Sequence, residues 1–280
     1  MNKLKRYLIT VSIGVLCPLL VTGILHHPRE KTELDEVEEM LPGIMATHLQ
    51  EENEVEVIKA LAVIERTRIK KALEDNTSMP ETIAQDQLIN EGKNGEYANQ
   101  YEVMLECIEA TYAQVITYED AYIYPEYCYL AAGNTRDMKE AYGREDFPYL
   151  KAQISKPDIE AEDYIQVFYY TMEEFRLLCE NQWGLEGATY EITATDSGEY
   201  VTSITIDDKV LTGEEFRQGL TLPSPAFMIK EIKGHIRIVT KGDGHGFGVS
   251  LYGANEMAKM SATYDSILKY YYSGVEIKTE

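Results

Sequence analysis

The pattern of hydrophobic positions along the chain alternates between helical and strand-like periods, which predicts a mixed fold. Residues 54–74 carry apolar side chains at helical spacing, with little room for a wide polar face in the first half, so a core helix is predicted there. Short runs rich in Tyr, Val and Ile between residues 101 and 130 predict strands. Residues 134–163 have the glycines, prolines and polar residues of loops.

The second half of the chain shows the same mixture. Residues 164–181 fit either a helix or a strand followed by a helix, whereas residues 191–210 alternate around an Asp-Ser-Gly turn and predict a hairpin. Residues 236–240 predict a short strand that leads into a glycine-rich loop. Residues 255–272 carry a helical apolar stripe that ends before a glycine. We therefore predict an α+β domain over residues 41–280, with antiparallel strands and a C-terminal helix.

An uncharged apolar segment precedes this domain. Residues 7–25 contain no charged side chain, and nineteen helical residues at about 1.5 Å each nearly match a hydrocarbon core of about 30 Å. Three basic residues lie within residues 1–6, and the acidic residues 26–40 suit a solvated linker. The positive-inside rule then gives a cytoplasmic tail, a single transmembrane anchor and an extracytoplasmic domain at the cell membrane. A cleaved signal peptide is the alternative, although no convincing cleavage site follows the apolar run.

Charge and cysteine content exclude several classes of function. The chain has 26 Lys and Arg against 48 Asp and Glu, a net charge of −22, which disfavours nucleic-acid binding through a basic face. Its four cysteines show no CxxC or CxxH spacing, so we predict no metal site and no cofactor. Cys107 and Cys128 either pair outside the cell or stay as buried free thiols.

Three stretches carry the most specific patterns in the sequence. Residues 41–67 combine a glycine-led turn with a Glu-x-x-Lys-Ala-x-Ala-Val helix that ends in Arg-Thr, and residues 196–227 place Leu-Thr-Gly-x-x-Phe-Arg after the predicted hairpin. Residues 242–277 hold a glycine-rich loop and the terminal helix. Together they resemble the stage II sporulation protein D family over most of the chain from residue 41 onward.

This resemblance implies a substrate and a reaction. Family members are lytic transglycosylases that cut peptide-stripped glycan strands of peptidoglycan, working with a wall amidase and a membrane partner during engulfment of the developing spore. It also implies a two-lobed domain, one lobe built on the first helix and the other on the hairpin, with the glycan in the groove between them. Such cleavage needs an acid for the leaving oxygen and stabilisation of an oxocarbenium-like transition state.

The position that matches the family's catalytic glutamate is occupied here by His48. An imidazole with a pKa of about 6.5 is a cation before it gives up its proton and neutral afterwards. This step instead needs a neutral acid that becomes an anion. Glu52 lies one helical turn further on. Either His48 or Glu52 acts as the acid, or His48 is a helix residue lining a cleft without chemistry. Residues 128–133 also lack the family's His-x-x-Ser-x-Gly pattern, and Leu251 replaces a glutamine.

Other matched positions are retained and are our candidates for substrate binding. Arg66, beside Glu65, either contacts sugar or forms a buried ion pair. The tyrosines between residues 122 and 129 either stack on sugar rings or pack across strands, and the glycines of residues 242–253 either let backbone N–H groups approach a ligand or permit tight packing. The candidates are Arg66, Thr67, Arg217, His245, Ser250 and Tyr252.

The sequence thus predicts a membrane-anchored protein that binds and remodels peptidoglycan glycan strands, with a lytic transglycosylase activity that is weak or absent. Two alternatives stay open at this point. The chain is an active lytic transglycosylase that uses His48 or Glu52, or it is a scaffold in a cell-wall complex. The partners that the resemblance implies are peptide-stripped glycan strands, a wall amidase and a membrane protein.

Overall fold

The computed structural model describes residues 31–49, 53–83 and 98–280. The chain divides into an N-terminal unit, Met1–Glu36, and a compact unit, Val37–Glu280. The described part of the first unit is the start of a helix, where the Thr32 hydroxyl donates to Asp35 and accepts from the Asp35 N–H. The predicted tail and anchor, residues 1–6 and 7–25, lie outside the described residues. No helix in the described ranges has the length and apolar character needed to cross a bilayer.

The first helix of the described residues, α1 (Glu33–Met45), begins inside the predicted linker of residues 26–40. Val37, Leu41, Ile44 and Met45 are buried at helical spacing, although five carboxylates lie within residues 33–39. The folded body therefore starts before residue 41, the start that the sequence predicted. The many carboxylates at the beginning of this helix hid its apolar stripe.

The compact unit is a mixed α+β structure with mainly antiparallel sheets, and its described residues form two large hydrophobic cores and a small third cluster of Ala132, Tyr200 and Ala226. The first core surrounds the predicted helix, α2 (Val55–Asp75), which is confirmed. The elements around it are α1, α3 (Ala98–Ala110), β1 (Gln114–Tyr118), β2 (Ala121–Tyr122), β3 (Tyr127–Cys128), α4 (Met138–Tyr142), the 3-10 turn Lys156–Glu160, β10 (Val249–Ser250), α7 (Leu251–Lys259), α8 (Tyr264–Tyr271) and β11 (Glu276–Thr279).

The second core lies between two three-stranded antiparallel sheets and their helices. The predicted hairpin is confirmed, and stacked Phe216 and Phe227 rings, 4.9 Å apart, lie in this core. Its elements are β4 (Ile165–Thr171), α5 (Met172–Trp183), β5 (Tyr190–Thr195), β6 (Val201–Ile206), β7 (Lys209–Leu211), α6 (Gly213–Gly219), β8 (Phe227–Ile232) and β9 (His235–Lys241).

Three sequence expectations change in detail. Residues 101–110 belong to helix α3 and not to a strand, whereas strands do occur between residues 114 and 128. The single C-terminal helix is two helices, α7 and α8, separated at Ser261, which has a φ of +70°. Residues 164–181 form a strand followed by a helix, the second of the two options.

The three cysteines that the structure describes do not pair. Cys107, Cys128 and Cys179 are buried free thiols, so the predicted alternative of a Cys107–Cys128 disulfide is wrong. Burial raises the pKa of the Cys107 thiol to about 11, and it raises that of Cys128 as well. These thiols therefore behave as small apolar core groups.

Candidate functional site

A cleft of about 460 Å³ opens beside His48, and it is large enough for a small ligand or one end of a polymer. Every residue that lines it precedes β3, so the cleft belongs to the core around α2. It is not the groove between two lobes that the resemblance implied. The lining residues are His48, Arg68, Ala72, Thr77, Ser78, Met79, Pro80, Glu81, Tyr124, Pro125 and Glu126.

His48 forms part of a wall built on helix α2. Its half-buried ring packs edge-on against Tyr127, with 5.4 Å between ring centroids. The Tyr127 hydroxyl donates to the buried Glu65 carboxylate at 2.6 Å, and Arg68 Nη1 donates to the same carboxylate at 3.1 Å. Helix α2 sets this geometry, because residues 65 and 68 lie three positions apart on one helix face.

The electrostatics of the wall disfavour a charged imidazole. Burial lowers the pKa of His48 below its ordinary value; the Glu65 carboxylate opposes this shift and the Arg68 guanidinium adds to it. At neutral pH the imidazole is therefore uncharged. Only the cationic imidazole can give a proton to a leaving oxygen, and the lowered pKa keeps that form scarce at neutral pH. The second candidate acid, Glu52, lies outside the described residues.

His245 contacts Glu126, one of the residues that line this cleft. The Phe247 N–H donates to His245 Nδ1 at 3.0 Å, so the neutral ring carries its proton on Nε2. That Nε2 atom lies 3.5 Å from Oε2 of Glu126, a lining residue. Burial lowers the pKa of His245, while the charges of Glu126 and Glu214 raise it. Of the six predicted binding residues, His245 is the one that the structure brings into contact with the cleft lining.

The glycine-rich loop holds Glu126 in place. Gly248 has a φ of +71°, and a Cβ added there would overlap the carbonyl oxygen of Glu126. The same carbonyl accepts from the Val249 N–H at 3.1 Å and from the Tyr272 hydroxyl at 2.7 Å. These contacts favour tight packing, the second of the two interpretations of the glycines.

Arg66 and Thr67 have structural partners. The fully buried Arg66 guanidinium donates to Glu38 at 2.7 and 2.9 Å and to the Gln114 carbonyl at 3.1 Å. The Thr67 hydroxyl accepts from the Ile116 N–H at 2.9 Å and so joins α2 to β1. This placement favours the buried ion pair over the sugar contact, and the partner is Glu38 of α1, not the adjacent glutamate that the sequence suggested.

Ser250 and Tyr252 lie at the start of α7. The buried Ser250 hydroxyl accepts from the Gly253 N–H at 3.2 Å, which caps the helix, and it donates to Asp158 at 3.0 Å. Burial raises the pKa of Asp158 to about 6. The Tyr252 N–H donates to the carbonyl of Tyr129 at 3.0 Å, and its half-buried side chain is not part of the cleft lining.

Arg217 binds Glu214 of its own helix, α6, and the chain that follows the helix. It donates to Glu214 at 2.7 Å and to the carbonyls of Leu222 and Pro223 at 3.4 and 3.3 Å. The charges of Glu214 and Arg217 both act on His245, so this pair belongs to the surroundings of the His245 contact. It does not line the cleft.

Sequence reasoning missed Arg68 and Glu126, two of the polar residues of the cleft. Arg68 follows Glu65 by three positions in a predicted helix, and this spacing was a usable signal. Nothing in the spacing of the chain indicated Glu126, because its position depends on contacts with the distant glycine-rich loop. Tyr124, one of the tyrosines considered for sugar stacking, does line the cleft and is 40% exposed.

Comparison with known proteins agrees with the resemblance seen in the sequence. Residues 29–118 match the family model described as Stage II sporulation protein. The chain is 31% identical over 254 residues to Stage II sporulation protein D of Bacillus amyloliquefaciens, covering 86% of this chain and 74% of that protein. The protein of the same name from Bacillus subtilis (strain 168) is 30% identical with the same coverage. A Brachyspira hyodysenteriae protein without a functional name is 26% identical and is covered over 66% of its length. The chain therefore belongs to the stage II sporulation protein D family.

Proposed function

We propose that this chain is a membrane-anchored, extracytoplasmic protein that binds peptide-stripped glycan strands of peptidoglycan during wall remodelling at engulfment. Its lytic transglycosylase activity is weak or absent. The observation that carries the proposal is the placement of His48 in the wall of a cleft, at the position matched to the family's acid, where burial lowers the pKa of the imidazole. A wall amidase and a membrane protein are its proposed partners, and residues 7–25 are its proposed anchor.

Weak activity follows from the proton chemistry of the cleft wall. Cleavage requires a group that enters as a neutral acid and leaves as an anion. His48 donates a proton only from its cationic form, which burial and the neighbouring Arg68 disfavour. Glu65 is fully buried and accepts from both Tyr127 and Arg68, so its carboxylate is not available to a glycosidic oxygen.

Binding follows from the remaining groups of the same cleft. Tyr124 offers an exposed ring, and pyranose rings pack their C–H faces on such rings. Arg68 offers donors, while Glu81 and Glu126 offer acceptors, for the hydroxyl and acetamido groups of an amino sugar. The cleft therefore offers both an aromatic ring and hydrogen-bonding groups to a sugar.

A direct test compares two tyrosines of similar exposure. Tyr124 lies in the cleft, whereas Tyr112, 49% exposed, lies outside its lining. We expect Tyr124→Ala to weaken binding of fluorescent peptide-free glycan strands several-fold, corresponding to about 1 kcal/mol of lost stacking, and Tyr112→Ala to leave it unchanged. Equal affinities of the two variants would show that the cleft is not part of the binding site.

A further inference from the structure

The sheet of β4, β9 and β8 has one face on the second core and one face open to solvent. Ile236 and Ile238 of the central strand point inward and are fully buried. The alternate positions point outward and expose large apolar side chains. They are Ile165 (57% exposed), Val167 (47%), Tyr169 (62%), Met228 (49%) and Ile232 (36%).

The strand register makes these residues one continuous patch. Val167 lies opposite Val239, which lies opposite Met228. In the next row Tyr169 lies opposite Arg237, which lies opposite Lys230. The patch therefore crosses all three strands, a width of about 10 Å. Monomeric proteins rarely leave a continuous apolar area of this kind uncovered unless it binds something.

The charges on this face are opposite in sign to those of the whole protein. Its outward positions include Lys230, Arg237 and Lys241 and contain no Asp or Glu, although the chain has a net charge of −22. Lys241 pairs with Glu199 at 2.6 Å. Within the described parts of the chain, Lys230 and Arg237 have no ion-pair partner, and the buried Nε of Arg237 has no hydrogen-bond partner. Two cations without carboxylate partners beside an apolar patch favour an occupant that carries carboxylates.

We propose that this surface, here called the cationic sheet face (the outward residues of β4, β9 and β8), docks a second protein that presents apolar side chains flanked by carboxylates. The exposed side chains are mainly aliphatic, which suits a protein surface better than a sugar polymer. They lie within a flat sheet and not on a protruding loop, so they are poorly placed to enter a bilayer. A symmetric pair of copies would place the cations of one face against those of the other, which excludes the second copy as the occupant.

The test expresses the full-length chain in sporulating cells of the organism that encodes it. A photoreactive phenylalanine analogue replaces Tyr169 or, as a control, Tyr112. We expect a discrete protein adduct from position 169 only, with the cross-linked partner peptide rich in Asp and Glu. The double variant Lys230→Glu with Arg237→Glu should lower the adduct yield at least about tenfold, because like charges then face each other. Replacing the partner's carboxylates by lysines should restore the yield with that variant.

A matched double variant, Arg144→Glu with Lys209→Glu, changes the same amount of charge at exposed positions away from the face and should leave the yield unchanged. The proposal is overturned if Lys230→Glu with Arg237→Glu does not reduce the adduct or if the partner peptide has no acidic residues. It is also overturned if position 169 gives no adduct above that from position 112. An adduct to a second copy, a lipid or a glycan overturns it as well. Because the cationic sheet face shares no residue with the His48 cleft, these outcomes are independent of glycan binding.

Discussion

The imidazole of His48 packs at 87° to the ring of Tyr127, whose hydroxyl binds the buried carboxylate of Glu65. The His48 ring makes no hydrogen bond to any other residue that the structure describes. It is therefore held by packing, at the position where the family's acid is expected. Such a side chain can be exchanged without leaving a buried polar partner unsatisfied.

Placing a carboxyl group at residue 48 should give the chain glycan-cleaving activity. A glutamic acid in this half-buried wall is desolvated, which raises its pKa and favours the neutral acid. We expect His48→Glu to form 1,6-anhydro ends on peptide-free glycan strands at least about 100-fold faster than the wild type. Mass spectrometry of the strand ends measures this. His48→Gln is the matched control, and equal rates for the Glu and Gln variants would show that residue 48 is not near the scissile bond.

The lowered pKa of His48 makes stability depend on pH in a defined direction. Between the folded pKa and the ordinary value of about 6.5, the unfolded chain binds more protons than the folded one. The free energy of unfolding should therefore decrease as the pH falls through about 6.5. Denaturant unfolding at several pH values should show a smaller decrease for His48→Gln than for the wild type. A His48 that titrates in NMR at or above its ordinary pKa would contradict this account.

The buried Arg66–Glu38 pair should matter for stability and not for glycan contact. Arg66→Met leaves the Glu38 carboxylate without its partner, which should cost about 3–5 kcal/mol in the free energy of unfolding. Arg217→Met removes a more exposed pair with Glu214 and should cost no more than about 1 kcal/mol. Urea unfolding of the two variants measures the two free-energy losses. Similar losses from both variants would mean that the Arg66 pair is not buried in solution.

The close approach of the glycine-rich loop to Glu126 predicts different costs for two glycine substitutions. Gly248 and Gly143 both have positive φ values, of +71° and +68°, but only Gly248 meets backbone atoms of another segment. Gly143→Ala should cost about 1–2 kcal/mol from backbone strain alone. Gly248→Ala should cost clearly more, because the loop must move away from Glu126. Equal unfolding free energies for the two variants would contradict the packing role of the loop.

Local patterns predicted the local elements well. The apolar period of α2 and the alternation around the β5–β6 turn were sufficient, because both elements bury a regular stripe. The start of helix α1 was missed because the first apolar residue of its stripe, Val37, lies among carboxylates. The C-terminal helix was predicted as one, because its stripe continues through Ser261 although the backbone there turns left-handed.

The sequence identified one residue of the cleft but not its location or its other members. The motif singled out His48, which does line a cleft, yet it could not show that the cleft lies outside the expected groove between lobes or that Arg66 points to Glu38 in another helix. Contacts between segments far apart in the chain decide such details, as they do for Glu126 and His245. Sequence spacing reports only on neighbours within one element.

The most direct test of binding without cleavage uses the full-length wild-type chain with peptide-free glycan strands, scoring the bound fraction and the 1,6-anhydro ends in the same samples. We predict saturable binding with no more anhydro ends than the His48→Gln variant produces. Anhydro ends that the wild type forms and that His48→Gln abolishes would show that the imidazole is a working acid, and absence of binding would contradict the glycan assignment itself.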